Sequence, residues 1–256
     1  VTMTTNDPGS DGIVNTLTPS FELAVSGTSD GSYTGSGSNA TGISSVRLQV
    51  SSNGGTTWDD NATFTAPASG GTAYTVTASP ALVSGTTYSV RALVTDLATN
   101  TVTSALSTTN GRITVDTTAP TVGTLTLDTD NGSSSSDGIV GTLTPAFTLS
   151  TASDASYTGT SAPTAAIASV VVQVSTNDGG SWTTKGTSSS TSSPYAITLS
   201  GLTSQTTYKI QALVTDTAGN TSTTALSTTS ALVTVDTTAP TAGTVTMTST
   251  DGGASS

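Results

Sequence analysis

The sequence predicts an all-β protein built from consecutive antiparallel Greek-key β-sandwiches that lie end to end. The chain repeats itself, its apolar residues alternate with a period of two, and Thr and Val are frequent throughout. Amphipathic helical periodicity is absent from the sequence, as is any run of 18 apolar residues. These observations together exclude coiled coils and transmembrane helices.

Internal repeats divide the chain. The segment DGIV from Asp11 returns at Asp137, and TLTPSF from Thr16 returns as TLTPAF from Thr142. Near its end, the chain repeats its opening Val-Thr-Met-Thr from Val245 onward. The repeats predict one unit at residues 1–118, a second at 119–238, and the first strand of a third at 239–256.

Each unit is predicted to contain seven short strands, lettered in chain order. Val170, Val172 and Val174 show the alternation of a half-buried strand, and Gly, Asn, Asp and Pro clusters separate such stretches. In the second unit we expect strands A 121–127, B 139–150, C 168–176, C′ 181–187, E 194–200, F 206–215 and G 231–236. Tyr88 and Tyr208 each follow a leucine by six residues at the start of strand F, which predicts a tyrosine corner.

Composition excludes several functions. The chain has no Cys and no His, so disulfides, thiolate nucleophiles and ordinary zinc sites are ruled out. Its net charge of -11 would repel nucleic acid and anionic membranes. We therefore expect neither an enzyme, nor a nucleic-acid partner, nor direct membrane insertion.

Several motifs give the chain a family resemblance. These are ALVTDTAGNTS at 212–222, VTVDTTAPT at 233–241, their first-unit counterparts ALVTDLATN and ITVDTTAPT, and DTDNGSSSSDGIV at 128–140. They resemble the bacterial immunoglobulin-like tandem repeats of giant secreted surface and biofilm adhesins. The resemblance implies immunoglobulin-like (fibronectin-III-like) sandwiches on the bacterial surface or secreted, stacked in arrays with calcium near their junctions. The first unit departs from it at Ala98-Thr99, where the second has Ala218-Gly219, so we expect the glycine-dependent FG turn to be missing there.

Sandwich topology sorts the acidic residues by position. The AB loop and the end of strand G lie at one pole of a unit, and the BC and FG loops lie at the other. The end of unit one and the start of unit two would therefore bring together Asp7, Asp11, Asp116, Asp154, Asp216 and Asn220. Clustered carboxylates repel each other, and an oxygen-only ligand set suits calcium.

An internal comparison supports calcium but leaves an alternative open. Acids expected at the poles recur in both units, whereas Glu22 and Asp59, expected in strands, become Thr148 and Thr183. The alternative is that the recurring acids only form Asx turns. Further candidate ligands are Asp236, the counterpart of Asp116, and the AB-loop residues Asp128, Asp130 and Asp137, which begin like an EF-hand loop but lack its Glu and its helices.

The leading interpretation is a non-enzymatic stalk or filament segment of an extracellular bacterial adhesin-type protein. Its partners would be further repeats of the same polypeptide, neighbouring identical chains, or a host or matrix surface ligand. The alternatives are a ligand-binding domain for a glycan or protein, and a surface-layer or phage coat module. Val1 aligns with Leu125, midway along strand A, so either a cut through a longer array or strand addition from a neighbouring chain would explain the chain start.

Overall fold

The computed structural model describes residues 1–5, 11–24, 29–31, 42–65, 73–107, 111–154, 167–228 and 231–246. Asp7 therefore lies outside the described residues. The regular elements of the described ranges are twenty β-strands. Within those ranges there is no helix long and apolar enough to cross a membrane.

The first nine strands form unit one. They are β1 Thr2–Met3, β2 Ile13–Val14, β3 Ser20–Ala24, β4 Ile43–Ser51, β5 Asp59–Thr63, β6 Ala73–Thr77, β7 Thr86–Asp96, β8 Thr101–Ala105 and β9 Arg112–Val115. One sheet has the order β1-β3-β6. The facing sheet has the order β2-β9-β7-β4-β5, with β8 also paired to β7.

The other eleven strands form unit two and repeat this plan. They are β10 Thr121–Val122, β11 Leu125–Leu127, β12 Ile139–Val140, β13 Ala146–Leu149, β14 Ala152–Ser153, β15 Ile167–Ser175, β16 Thr183–Thr187, β17 Tyr195–Thr198, β18 Thr206–Asp216, β19 Thr221–Ala225 and β20 Leu232–Val235. The sheets are β11-β13-β17 and β12-β20-β18-β15-β16, with β19 paired to β18. Strands β10 and β14 form a separate two-stranded antiparallel ladder.

Each unit is thus an immunoglobulin-like sandwich, and the predicted all-β fold class is confirmed. Alternation along β18 buries Tyr208, Ile210, Ala212 and Val214 while the residues between them remain partly exposed. The buried residues of unit one and those of unit two form two separate cores. Because each core is enclosed by strands of its own unit, each sandwich has its own source of hydrophobic stability.

The prediction of a wholly antiparallel sandwich is wrong for one strand pair in each unit, and unit two also has an isolated parallel bridge between Leu125 and Leu226. Predicted strand B is two elements, because β12 leaves the sheet of β13 and runs parallel to β20 in the opposite sheet. Pro145, which has no N–H to donate, precedes β13 and separates the two. In unit one, β2 and β9 make the same parallel pair.

Strands β8 and β19 lie outside the predicted set. Their sequences, TVTSA and TSTTA, are polar on both faces and largely exposed, so they carry no alternation of apolar and polar residues. Each pairs with the second half of strand F, and the predicted strand G corresponds only to β20. Hydrogen bonding to a long neighbouring strand defines these elements, and sequence periodicity does not.

The expected loss of the FG turn in unit one is also wrong. Thr99 adopts the left-handed conformation with a φ of 71°, matching Gly219 with a φ of 90°. Asp96 holds the turn, since its carbonyl accepts from Thr99 N at 3.2 Å and its Oδ1 accepts from Asn100 N at 2.7 Å. These bonds offset the roughly 1 kcal/mol that a non-glycine residue pays in this conformation.

Both tyrosine corners are confirmed. The Tyr88 hydroxyl accepts a hydrogen bond from Val83 N at 3.1 Å, and the Tyr208 hydroxyl accepts one from Thr203 N at 3.0 Å. Tyr195 differs, because its buried hydroxyl has no hydrogen-bond partner among the described residues.

This contrast gives a matched pair of substitutions. We expect Tyr208→Phe to lower the free energy of unfolding by about 1 to 2 kcal/mol, because it leaves the Thr203 N–H unsatisfied. Tyr195→Phe should leave stability unchanged or slightly raised, because it removes a buried hydroxyl that makes no bond. Urea unfolding of both variants measures this, and equal losses would contradict the assigned corner.

Candidate metal centre

Three carboxylates from different elements meet between the units. Asp116 follows β9 of unit one, Asp154 follows β14, and Asp216 ends β18. Each offers one carboxylate oxygen, and these oxygens lie within 4.8 Å of one another. We call Asp116, Asp154 and Asp216 the carboxylate cluster.

Local turns orient two members of the cluster. Asp116 Oδ1 accepts from Thr118 N at 3.0 Å, which forms an Asx turn at the start of the DTTAP linker. Asp216 Oδ1 accepts from Asn220 N at 2.8 Å, and its carbonyl accepts from Gly219 N at 3.2 Å. The linker of unit one and the FG turn of unit two are therefore each ordered by an aspartate of the cluster.

Asn220 bonds the two units together. Its Nδ2 donates to the carbonyl of Asp116 at 2.9 Å, to that of Thr118 at 3.2 Å, and to Asp216 Oδ2 at 3.0 Å. In this orientation the amide nitrogen, rather than the amide oxygen, faces the cluster. Asn220 is thus placed as a bridge between linker and turn, beside the acids it was predicted to join.

Burial sets the electrostatics of the cluster. Asp116 and Asp216 are each 1% exposed, and Asp154 is half-buried. Burial raises the pKa of Asp216, and the nearby Asp154 carboxylate raises it further, although hydrogen bonds from Asn220 and Gly219 oppose the shift. A buried carboxylate next to another is unfavourable in its charged form, so a cation would stabilise it.

The counterpart of Asp216 in unit one shows that the surroundings cause this shift. Asp96 accepts the same two bonds from Asn100, yet its pKa is lowered, chiefly by the bond from the Asn100 side chain. Asp96 is partly exposed and Asn100 is exposed. The same pair of bonds from asparagine therefore accompanies a raised pKa at Asp216, where burial and Asp154 act on the carboxyl, and a lowered pKa at Asp96.

The five basic residues have contacts of their own elsewhere. Arg47 pairs with Asp60, and Lys209 pairs with Asp178 at 3.0 Å. Arg91 stacks over Trp58, Lys185 donates to the carbonyl of Gly201, and Arg112 lies beside the turn at Gly54. The five basic side chains therefore make these contacts in the sheets and hairpins and not with the carboxylate cluster.

Of the remaining predicted acidic ligands, those that the structure describes are not brought into the cluster. Each of them accepts a hydrogen bond close by: Asp11 from Ile13 N, Asp128 from Thr148 Oγ1, Asp130 from Gly138 N, Asp137 from Ile139 N and Asp236 from Thr238 N. For Asp11, Asp137 and Asp236 the donor is two residues ahead, which is the Asx-turn alternative. Among the described residues, only the carboxylate cluster groups three acids.

Thr217, which follows Asp216 in the FG turn, is not among the residues predicted from the sequence. Its hydroxyl oxygen is buried with no hydrogen-bond partner among the described residues. Unit one has Leu97 at this position. Threonine is so frequent in this chain that no sequence signal distinguishes this one.

The donor chemistry of the cluster fits a hard divalent cation. All three groups are carboxylates, and the carbonyls of Asp116 and Thr118 lie within hydrogen-bond reach of Asn220 at the same place. Calcium prefers carboxylate and carbonyl oxygens and takes roughly six to eight of them. Asp116, Asp154 and Asp216 are the residues that would hold it.

No protein-family model and no curated protein matches the chain. Solved structures that match include the FN1–FN3 domains of chicken CNTN1, at 10% identity and a TM-score of 0.41, covering 87% of this chain and 65% of that one. A chimeric titin Z1Z2 tandem matches at 14% identity and a TM-score of 0.27, covering 88% and 93%.

A third match is the Bacteroides ovatus mixed-linkage glucan utilization locus protein SGBP-B, solved with a mixed-linkage heptasaccharide. It is 17% identical with a TM-score of 0.23, and the match covers 92% of this chain and 45% of that one. This chain spans less than two thirds of the length of the CNTN1 and SGBP-B chains. The strand topology defines the class of protein: an all-β chain with immunoglobulin-like sandwiches.

Proposed function

We propose that the chain is a structural segment of the stalk or filament of an extracellular bacterial adhesin-type surface protein, stiffened by calcium where successive sandwiches meet. The observation that carries this proposal is the carboxylate cluster, which joins Asp116 of one unit to Asp154 and Asp216 of the next. The partners are further repeats of the same polypeptide or neighbouring identical chains, and a host or matrix ligand at the end of the array.

Electrostatics support a cation at this joint. Three carboxylates lie within 4.8 Å of one another, two of them almost fully buried, in a chain of net charge -11. Repulsion at such distances is weakly screened by salt where groups are buried. A divalent cation would attract carboxylates from both units in place of that repulsion, so its binding would at the same time stiffen the joint.

The linker supports a short joint. Residues 117–120 connect the two units, and Pro120 fixes its own φ and restrains its neighbour. Asn220 already holds the carbonyls of this linker. A cation and a clamped linker together would restrict the units to an end-to-end arrangement.

The composition also favours a stalk over an enzyme. Thr-rich strands give exposed sheets polarity without long charged side chains, as in β8 and β19. The chain has no His or Cys to act as a general base or thiol nucleophile. We propose that the sandwiches serve as spacers.

Small-angle X-ray scattering tests the proposal. With calcium, we expect a larger maximum dimension and a narrower distance distribution than with a chelator, because the metal-free joint bends. Asp116→Asn should give the chelator profile under both conditions, whereas Asp59→Asn, on the exposed start of β5, should behave as wild type. Identical wild-type profiles with and without calcium would contradict the proposal.

A further inference from the structure

One outer face of unit one carries all three arginines of the chain. The face belongs to the sheet that contains β5, β4, β7 and β9, whose other side packs on the core. Arg47 lies on β4, Arg91 lies on β7, and Arg112 begins β9. We call this side of the sheet, with its three arginines, the arginine face.

Strand register aligns the three arginines on a diagonal. Arg112 lies opposite Ser89 of β7. Arg91 follows two residues further along β7, opposite Gln49 of β4, and Arg47 lies two residues away from Gln49 on β4. Diagonal neighbours of this kind in an antiparallel sheet have Cα atoms about 7 to 8 Å apart. The arginines therefore form a stripe across three adjacent strands.

Planar side chains hold two of these arginines in place. Arg91 Cζ lies 3.9 Å from the centre of the Trp58 ring, and its Nε donates to Gln49 Oε1 at 2.9 Å. Gln49 Nε2 donates in turn to Asp60 Oδ1 at 2.8 Å, and Asp60 pairs with Arg47. The bonds from Gln49 and Arg47 lower the pKa of Asp60, so this carboxylate stays charged and keeps the network together.

Both arginines keep hydrogen-bond donors for a ligand. Among the described residues, the guanidinium of Arg91 donates only through Nε, and that of Arg47 only through Nη1. The other guanidinium nitrogens can form the paired hydrogen bonds by which arginine binds a carboxylate. Three guanidinium groups on this face outnumber the carboxylate of Asp60 and that of Asp11, which the register of β2 places near Arg112. The face is therefore locally positive in a chain of net charge -11.

Unit two has the same sheet without these charges. Its counterparts of Arg47, Asp60, Arg91 and Arg112 are all uncharged: Val171, Thr184, Gln211 and Leu232. The buried residues of the same strands, in contrast, are apolar in both units. The sandwich therefore folds without the arginine face, and exposed ion pairs contribute little to stability. The charged groups distinguish the surface of unit one and not its core.

We propose that the arginine face binds a linear polysaccharide with regularly spaced carboxylates, a chain of uronic acids, laid along the diagonal of Arg47, Arg91 and Arg112. The carboxylates accept paired hydrogen bonds from the guanidinium groups. Because Trp58, Gln49 and Asp60 already position two of these groups, little side-chain entropy is lost on binding. This role adds side-on attachment to an acidic matrix to the proposed structural segment, and it does not depend on calcium at the joint.

The form and the charge of the face favour this ligand over other polyanions. Strands β4 and β7 are paired on both sides, so the face offers side chains and no open strand edge to an acidic peptide. Nucleic acid carries one charge per about 1.7 Å of duplex, and a net charge of -11 repels so dense a polyanion. A polymer with one carboxylate per sugar matches three arginines at intervals of about 7 to 8 Å more closely.

Calorimetric titration with polygalacturonate tests the proposal, in chelator so that no calcium bridges the two polyanions. We expect the wild type to bind it and not to bind neutral dextran. Arg47→Val and Arg91→Gln should each weaken binding by roughly three- to tenfold. Each introduces the residue that unit two has at that position, so the fold is kept. Lys185→Asn is the matched control, because it removes one positive charge in the same way, Asn61 being its counterpart, and it should leave binding unchanged.

Transfer of the stripe to unit two is the stronger test. The starting chain carries Arg47→Val and Arg91→Gln and binds weakly. Copying the charged groups of unit one into its unit two should restore binding; the four substitutions are Val171→Arg, Thr184→Asp, Gln211→Arg and Leu232→Arg. A folded chain that remains unable to bind polygalacturonate would contradict the assignment of the ligand to this stripe.

Three other results would also overturn the proposal. One is the absence of binding by the wild type. Another is equal weakening by Lys185→Asn and Arg91→Gln, which would indicate general attraction between charges. The third is binding of single-stranded DNA as tight as that of polygalacturonate. None of these results bears on the proposed calcium site, because the titrations are made in chelator and the substituted residues lie outside the carboxylate cluster.

Discussion

Calcium should raise the thermal midpoint of unit two, and Asp116→Ala should abolish the increase. A ligand that binds only the folded state adds RT ln(1 + [L]/Kd) to its stability, or about 2.7 kcal/mol at a hundredfold excess over Kd. For a unit of this size that is roughly 10 °C. Asp116 is expected to be essential because it is the only cluster member supplied by unit one.

The two tryptophans allow the units to be followed separately. Trp58 lies in unit one and Trp182 in unit two, so Trp58→Phe leaves Trp182 as the only tryptophan, and its fluorescence, excited selectively, reports on unit two. Asp236→Ala is the matched control, because Asp236 forms the same turn with Thr238 N but is exposed and outside the cluster. Equal calcium responses of the Asp116→Ala and Asp236→Ala chains would show that the acids only form turns.

The second large effect is that the same substitution at the equivalent residues Asp216 and Asp96 should shift the thermal midpoint in opposite directions. In chelator at pH 7, Asp216→Asn should raise the midpoint of unit two, because it removes a charge that burial and Asp154 make unfavourable. The expected gain is on the order of 1 kcal/mol, or about 4 °C. Asp96→Asn should lower the midpoint of unit one, since Asn100 stabilises the charged carboxylate there.

The pH dependence of the two variants should also be opposite. The folded-state pKa of Asp216 lies above the usual 3.8, so the stability gained by protonating it is present below 3.8 and lost as pH rises through the folded value. The advantage of Asp216→Asn should therefore shrink on acidification. The folded-state pKa of Asp96 is lowered, so its contribution is present above 3.8 and lost as pH falls through the folded value.

Thermal melts of the two variants between about pH 3 and pH 7 make the measurement, since that range spans the usual aspartate pKa. In calcium, Asp216→Asn should instead lower the thermal midpoint of unit two relative to the wild type, because it removes a proposed ligand. A loss of stability in chelator for both variants would show that the hydrogen bonds from Asn220 matter more than burial at position 216.

Much of the fold could be predicted because its signals are local or repeated. The alternation of apolar and polar residues in strands such as β15 and β18 reflects burial on one face. The spacing between Leu202 and Tyr208, both buried, likewise predicts the tyrosine corner. The parallel pairing of β12 could not be read in this way. It depends on which sheet a two-residue strand joins after the chain has folded.

The candidate site was likewise predictable only in part. Placing Asp116, Asp154 and Asp216 at one joint needed only the order of strands in a sandwich, and the structure brings them together. The placement of Asp11 at that joint is wrong, because the parallel register of β2 with β9 puts it beside the start of β9, whereas Asp116 follows the end of β9, and its carboxylate bonds to Ile13 N. The strand that β2 joins, and its direction there, depend on long-range pairing, which the sequence specifies poorly.

The parallel pairs have a mechanical consequence. A pull on the two ends of unit one draws β2 and β9 in opposite directions along their length, so their hydrogen bonds bear load together and do not open one by one. Those bonds run from Thr114 N to the Gly12 carbonyl at 2.8 Å and from Asp116 N to the Val14 carbonyl at 2.9 Å. Asp116 thus takes part in the load-bearing pair of unit one through its backbone N–H and contacts unit two through its carboxylate and carbonyl, so tension on unit one reaches the joint through this residue.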